Sequence, residues 1–422
     1  MSLGLDFGTS GARAIAIDGE QVRGEARCDY PGGAIAADAS QWRDALWALL
    51  DALPLEIRQR LTAIAINGTS GTVLRCDGRG EPVGEAILYS DSRGREMLDA
   101  IDGIAPAEHV ARSASSSLAK LMWWHQHDSL RQTPSDPGPI YFLHQADWLS
   151  FLLHGQLGVS DYHNSLKLGY DVAALNYPDW FRTVPKTLVL PEVVEPGTPI
   201  GPVRATVAEQ FGIPQGCQVC AGTTDSIAAF LASGAANDGE AVTSLGSTLV
   251  LKLLSPHRVE QSSSGIYSHR FGDRWLVGGA SNSGGAVLAE FFDAEALASL
   301  SPEIHPEKDS GLNYYPLLQP GERFPINDPD LPPCLTPRPD DVALFLQGLL
   351  EGMAHIEALG YKTLQSLGAA PLVKVYSAGG GAGNEAWSAI RSRYLGVPVV
   401  QAAQGEAAYG TARLAQRRSL CG

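Results

Sequence analysis

Two stretches of this chain, about half its length apart, repeat one pattern: an apolar β-prone run, a tip of glycine and hydroxyl residues, and a second apolar run. In the first, Leu3 to Phe7 is followed by Gly8-Thr9-Ser10-Gly11 and then by Ala12 to Asp18. In the second, Ala241 to Leu245 is followed by Gly246-Ser247-Thr248 and then by Leu249 to Leu254. Each reads as a β-hairpin with a polar tip. Repetition at this spacing implies two similarly folded domains, each opening with a hairpin whose tip can grip phosphate. The length of 422 residues agrees, because single cores stop growing well below that size. Gly222-Thr223-Thr224-Asp225-Ser226 runs into the apolar, helix-like Ile227–Ala232, so the expected domains are 1–228 and 229–422.

Further along, the same logic of an apolar strand entering a small polar loop recurs. Ala63–Ile66 ends in Asn67-Gly68-Thr69-Ser70-Gly71-Thr72, and Val373–Ala378 ends in Gly379-Gly380-Gly381-Ala382-Gly383-Asn384, after which a helix opens. Apolar residues at Phe345, Leu349, Met353 and Ile356 give helical spacing over 344–364. Glycines remove Cβ obstruction and let successive N–H groups converge on anionic oxygens, with hydroxyls adding donors. No GxxxxGK[ST] occurs, so a P-loop is excluded.

The formal net charge is -15. An anionic surface repels a phosphate backbone, which argues against nucleic acid as a partner. A nucleotide must then be held by backbone N–H groups and a metal ion rather than by basic clusters. Six cysteines (Cys28, Cys76, Cys217, Cys220, Cys334, Cys421) do not form a disulfide scaffold, and Cys217-Gln-Val-Cys220 is a lone CxxC that reads as small core residues. With no leader or spanning apolar run in sight, the expectation is a cytoplasmic protein without a membrane partner.

Three side chains carry alternative readings. Asp6 sits immediately before the first tip, where a carboxylate beside phosphate needs a cation between them. It is a candidate Mg²⁺ ligand, or an Asx cap of the turn. Asp225 is either a helix N-cap or the base that accepts the proton of an attacking hydroxyl. Trp387 is a core residue, or an indole that stacks on adenine while the Asn384 amide reaches a polar edge.

Together these segments resemble the FGGY family of carbohydrate kinases, which share the ATPase fold of actin, Hsp70 and hexokinase. Asp6-Phe7-Gly8-Thr9-Ser10 is similar to the first phosphate motif and Gly222-Thr223-Thr224-Asp225 to the catalytic segment. Leu245-Gly246-Ser247-Thr248 resembles the second phosphate motif, and Gly379–Asn384 the adenosine motif. Ser115 to His127, with Lys120 and Trp123, resembles the family signature. Leu88-Tyr89-Ser90-Asp91-Ser92-Arg93 looks like its Trp-x-Asp-x-Arg with Tyr for Trp, and Gly321-Glu322-Arg323 like its Gly-Glu-Arg loop.

The resemblance implies an α/β protein of two ribonuclease H-like domains around a central cleft, sugar bound by the first and ATP by the second. It implies Asp225 as base, Asp6 and Asp225 as the carboxylates for Mg²⁺, and Asp6, Thr9, Ser70 and Asp225 as the sugar contacts. For ATP it implies Gly8, Thr9, Ser10, Arg13, Gly246, Ser247, Thr248, Gly380, Gly381, Asn384 and Trp387. Closure of the domains would exclude water, the competing nucleophile. Xylulose kinases of the family usually carry Gln-Met-His-Gly where this chain has Asn67-Gly68-Thr69-Ser70-Gly71, so a sugar-contacting His is missing and Ser70 is its polar substitute. The short length resembles plant and cyanobacterial members for which D-ribulose is the acceptor. The expectation is phosphorylation of a five-carbon ketose, D-ribulose first, at its terminal hydroxyl. D-xylulose or another polyol, an actin- or Hsp70-like ATPase, and a sugar-sensing module are the alternatives.

Overall fold

A computed structural model describes residues 1–127 and 138–419, so Cys421 lies outside the described residues. Ten strands precede residue 232: β1 (Ser2–Phe7), β2 (Gly11–Asp18), β3 (Gln21–Asp29), β4 (Ala63–Gly68), β5 (Val73–Cys76), β6 (Tyr141–His144), β7 (Val159–Asp161), β8 (Glu192–Val194), β9 (Pro199–Pro202) and β10 (Gln218–Thr224). Six follow: β11 (Glu240–Leu245), β12 (Leu249–Ser255), β13 (Tyr267–Phe271), β14 (Arg274–Ala280), β15 (Lys374–Ala378) and β16 (Val399–Gln401).

The chain forms two compact units, one of residues 1–232 together with 406–422 and one of residues 233–405. Their main sheets run β3-β2-β1-β4-β10-β9 and β13-β14-β12-β11-β15-β16. In each, the hairpin noted in the sequence pairs antiparallel (β1 with β2, β11 with β12), and the first strand of that hairpin then pairs parallel with a later strand (β4, β15). A further parallel strand follows in both (β10, β16), so one topology is used twice. Both hairpins fall where the alternation of apolar residues places them.

The division differs from a single cut near residue 228. The helix Ala407–Ser419 returns to the first unit instead of continuing the second. The reason lies in the two faces of the first sheet. Leu3, Leu5, Phe7, Ile64 and Ile66 alternate onto one face and pack with Trp42, Leu46, Leu49 and Trp148. The intervening Gly4, Ala63 and Ala65 are small, and Ala408, Ala412 and Ala415 of the returning helix lie against that shallow face. A β-carbon at Gly4 would stand 2.0 Å from the Ala408 carbonyl oxygen.

The same helix crosses Asp225–Ser233, where a β-carbon at Gly410 would lie 1.8 Å from the Ala228 carbonyl oxygen. Gly410→Ala adds up to about 1 kcal/mol of helix propensity, but rigid backbone leaves the methyl nowhere to go, and overpacking of about 1–3 kcal/mol wins. Urea unfolding is expected to read a net loss for Gly410→Ala and almost none for Gly216→Ala, whose β-carbon meets nothing within 4 Å. Equal stability of the two variants would contradict this packing.

The core of the second unit gathers around the helix Val342–Ser366, N-capped by Asp341, whose Oδ1 accepts from the N–H groups of Ala343 and Leu344. By length and composition this helix is apolar enough to cross a membrane, but 67% of its most apolar window is buried inside the protein, as in a core helix. The five described cysteines are free, and the Cys217 and Cys220 thiols are buried, which pushes them up to about 12 and about 11.

Candidate functional site

In the first unit the parallel register aligns Asp6 of β1 with Asn67 of β4, and Asn67 with Thr223 of β10. The C-terminal ends of adjacent parallel strands therefore deliver Asp6, the turn 68–72 and Asp225 to one edge of the sheet, where open α/β sheets place ligands. Asp6 falls on the same face as Gly4, toward the returning helix. Its pKa is raised to about 7, chiefly by burial and then by the charges of Asp225 and Glu406, with Arg13 and Asn67 opposing. Arg13, directly across the hairpin from Asp6, is ion-paired with Glu406. Asn67 donates to Thr411 Oγ1 at 2.7 Å, and its own Oδ1 is buried without a partner.

Asp225 is half-buried at the start of the helix Asp225–Ser233, and its Oδ1 accepts the Ser226 N–H at 2.7 Å. The carboxylate therefore stands in the first turn of the helix, at the strand end that also carries Thr223. Thr9 and Ser10 form the exposed tip of the first hairpin, with the Gly8 N–H donating to the Gly11 carbonyl at 3.1 Å.

Ser70 lies in the turn after β4. Gln145 braces that turn by accepting from the Thr69 N–H (3.0 Å) and hydroxyl (3.1 Å). Lys120 braces it from the other side, its fully buried Nζ donating to the carbonyls of Gly71 (2.6 Å) and Leu88 (2.8 Å). The three signature segments around 68–72, 88–93 and 115–127 therefore meet at one lysine. Arg93 adds to the meeting by bonding Asp91 and stacking its guanidinium on Trp123.

In the second unit the tip Gly246-Ser247-Thr248 rests on Gly284 and Gly285. A β-carbon at Gly284 would stand 2.7 Å from Thr248 Cα. The approach is held by Glu322, a buried carboxylate of the Gly-Glu-Arg loop that accepts from Ser281 Oγ (2.6 Å), the Asn282 N–H (2.7 Å) and Tyr315 Oη (3.0 Å). Gly379, at φ +83°, seats the glycine loop against the carbonyl of Leu245, the residue just before this tip. That loop opens onto a pocket of about 900 Å³, lined by Gly380, Gly381, Asn384, Trp387, Leu297 and Pro302 among others. It is roomy enough for a purine nucleoside.

Two residues stand differently from the adenine-stacking picture. Trp387 is only 2% exposed, with the Gly381 backbone against its six-membered ring and its Nε1 unpartnered. It floors the glycine loop from the core. The Asn384 amide is spent internally, its oxygen capping the following helix at the Trp387 N–H (2.9 Å) and its nitrogen donating to Ser301 Oγ (2.8 Å).

Several residues at the site carry no motif signal. Gln145, Glu406, Thr411, Lys167 and His163 come from distant segments, and His163 Nδ1 lies 2.7 Å from Thr223 Oγ1.

The model of the N-terminal domain of the FGGY family of carbohydrate kinases matches residues 1–232, and that of the C-terminal domain matches residues 241–418. A xylulose kinase from Streptomyces coelicolor is 28% identical across 94% of this chain and 83% of its own. Among solved structures, a xyloylose kinase from Brucella ovis superposes with a TM-score of 0.86 at 23% identity, covering 100% of this chain and 91% of that one. A Plasmodium falciparum glycerol kinase with ADP gives 0.86 at 18% identity, over 100% and 90%. With both family models covering nearly all of its length, the chain belongs to the FGGY family of carbohydrate kinases and is an ATP-dependent sugar kinase.

Proposed function

We propose that the acceptor is a five-carbon ketose, D-ribulose before D-xylulose, phosphorylated at its terminal hydroxyl to give D-ribulose 5-phosphate. The observation that carries this reading is the strand-end cluster of Asp6, the Ser70 turn and Asp225, with no histidine in the turn. The first unit binds the sugar, with Asp6, Thr9, Ser70 and Asp225 as contacts. The second unit binds ATP through Gly246, Ser247 and Thr248 and through Gly380 and Gly381, with Asn384 and Trp387 shaping that glycine loop from beneath and Gly8, Thr9, Ser10 and Arg13 facing the phosphates. Asp225 accepts the hydroxyl proton as the oxygen bonds to the γ-phosphorus and the bond to ADP breaks. The enzyme is placed in the cytoplasm.

Mg²⁺ fits this site. Burial and the facing charge of Asp225 both disfavour the ionised form of Asp6, a situation that a divalent cation relieves. Among the described residues no group of three or more His, Cys, Asp or Glu side chains assembles, and Mg²⁺ is ordinarily held by one or two carboxylates with water and substrate phosphates. Asp6 and Asp225 would hold it, and it would neutralise the charge of the phosphates.

D-xylulose is the second reading, since the Streptomyces relative is named a xylulose kinase. A panel of pentuloses and polyols assayed by coupled ADP release separates the two. D-ribulose is expected to exceed D-xylulose in kcat/KM by at least about tenfold, the scale on which one misplaced hydroxyl contact discriminates. Equal efficiencies would discard the argument from Ser70, and ATP hydrolysis indifferent to every sugar would discard the acceptor altogether.

A further inference from the structure

Two lysines crowd the turn after β4. Gly71 is in the left-handed region at φ +90°, and a β-carbon there would stand 3.8 Å from Lys167 Cδ and 3.9 Å from Lys120 Nζ. Their situations differ. Lys120 has two short bonds to backbone carbonyls and is spent on holding loops together. Lys167 makes no hydrogen bond and no ion pair within 4 Å among the described residues, although it is partly buried.

The backbone around Lys167 is fixed with care. It is the middle residue of the 3₁₀ turn Leu166–Leu168, which continues the short helix Tyr162–Ser165. Asp161 caps that helix through the N–H groups of His163 (2.8 Å) and Asn164 (3.0 Å) and also accepts from Asn164 Nδ2 (2.7 Å). His163 then ties the segment to Thr223, two residues before Asp225. The turn is thus pinned to the strand end that carries Asp225, and the lysine reaches from there toward Gly71. Burial weakens its ammonium, and the attraction of Asp225 restores it in part. The second cation nearby, Lys120, is repelled by it and steadied by Asp91.

The ammonium of a partly buried lysine has three donors and no acceptor of its own, and without a protein partner those donors are free to take a ligand. A bound molecule rich in oxygen acceptors beside Asp225 would be the partner those donors lack within the protein. We propose that Lys167 is a sugar-binding residue, donating its N–H groups to oxygens of the acceptor held between the Gly71 turn and Asp225, and that it favours an open-chain ketose over the corresponding polyol. This deepens the kinase site proposed above and rests on that reading. The preference has a chemical reason. A carbonyl oxygen accepts only, with a strong dipole, whereas a hydroxyl in its place brings a proton that must find a partner beside a cation.

The test is steady-state kinetics of Lys167→Met, Lys167→Gln and Lys167→Arg against D-ribulose and ribitol, with the KM for ATP measured in parallel. Expected for Lys167→Met and Lys167→Gln is a rise of about 10–100-fold in the ketose KM, the worth of a charge-assisted hydrogen bond. The change in kcat is smaller, the ATP KM stays within about twofold, and the preference for ketose over polyol shrinks toward unity. Lys167→Arg, which keeps the cation, retains a part of that preference. Sugar KM values unchanged in both neutral variants, or equal losses for ketose and polyol, would overturn the assignment. If Lys167→Met fails to fold, Lys167→Gln carries the same comparison. Should the wild-type chain prefer another sugar, the measurement is made on that sugar and its reduced form, so a failure of the pentulose reading leaves this test standing.

Discussion

Replacing Asp225 by Asn is expected to lower kcat for sugar phosphorylation by about 10³-fold while ATP binding stays within a factor of a few. The amide keeps the shape of the carboxylate and its bond to the Ser226 N–H, so the start of the helix Asp225–Ser233 is preserved. What it loses is the ability to accept a proton. In phosphoryl transfer through a loose transition state the proton leaves late, which places the loss within the ordinary 10²–10⁴ span of general-base removal rather than beyond it. About 10³-fold corresponds to roughly 4 kcal/mol of transition-state stabilisation.

A second readout separates this from mere misfolding. Asp225 is one of the groups that raise Asp6, so its neutralisation should let Asp6 titrate lower than about 7. Carboxyl-carbon NMR of Asp6 in the ligand-free variant checks the sign. Turnover undiminished in Asp225→Asn would leave the carboxylate as a helix cap only. An Asp6 titration that does not move would show that the two carboxylates do not sense each other.

Both hairpins and the glycine loop were legible because their information is local. An apolar alternation of period two, broken by glycine and hydroxyl residues, can do little else than turn. The repeat spacing then gave two units of like topology, because the same hairpin must seed the same sheet. What the sequence withheld is every feature that depends on pairing across the chain. The helix Ala407–Ser419 belongs to the first unit only because Gly4, Ala63 and Ala65 present a shallow face to it, and no local pattern announces that match. Asn384 and Trp387 read as ligand contacts by position, yet the fold consumes the amide in capping and sets the indole beneath the loop. Lys167 lies outside every motif of the sequence and gains its meaning from Gly71 and Asp225. Charge type alone does not tell an enclosed lysine from a solvated one.

The second large effect is expected at Glu357 and Arg391, which lie beneath the glycine-rich loops of the second unit. Their side chains are 1% and 0% exposed, with Arg391 Nε and Nη2 donating to the two carboxylate oxygens at 2.6 and 2.7 Å. Arg391 Nη1 also donates to Ser377 Oγ at 2.5 Å, while Thr243 Oγ1 donates to Glu357 Oε1 at 2.5 Å and bonds Tyr361 Oη at 2.8 Å. Ser377 precedes Gly379 by two residues on β15, and Thr243 precedes Leu245 by two on β11. One buried ion pair therefore ties the root of the glycine loop to the root of the Gly246-Ser247-Thr248 tip. Glu357→Gln leaves the guanidinium buried without its countercharge, which costs about 3–5 kcal/mol and lowers the melting temperature by on the order of 10 °C. Loosened loops should also raise the KM for ATP while the KM for the sugar holds. The double variant Glu357→Met with Arg391→Met removes both charges and is expected to recover much of the stability, because replacing a buried pair by apolar side chains of similar volume is often neutral. It should not recover the ATP KM, since Ser377 and Thr243 remain untied. A single variant that melts within a degree or two of the wild type would mean that the pair adds nothing to the unit. A double variant that regains ATP affinity along with stability would show that the loops hold their register through backbone contacts alone.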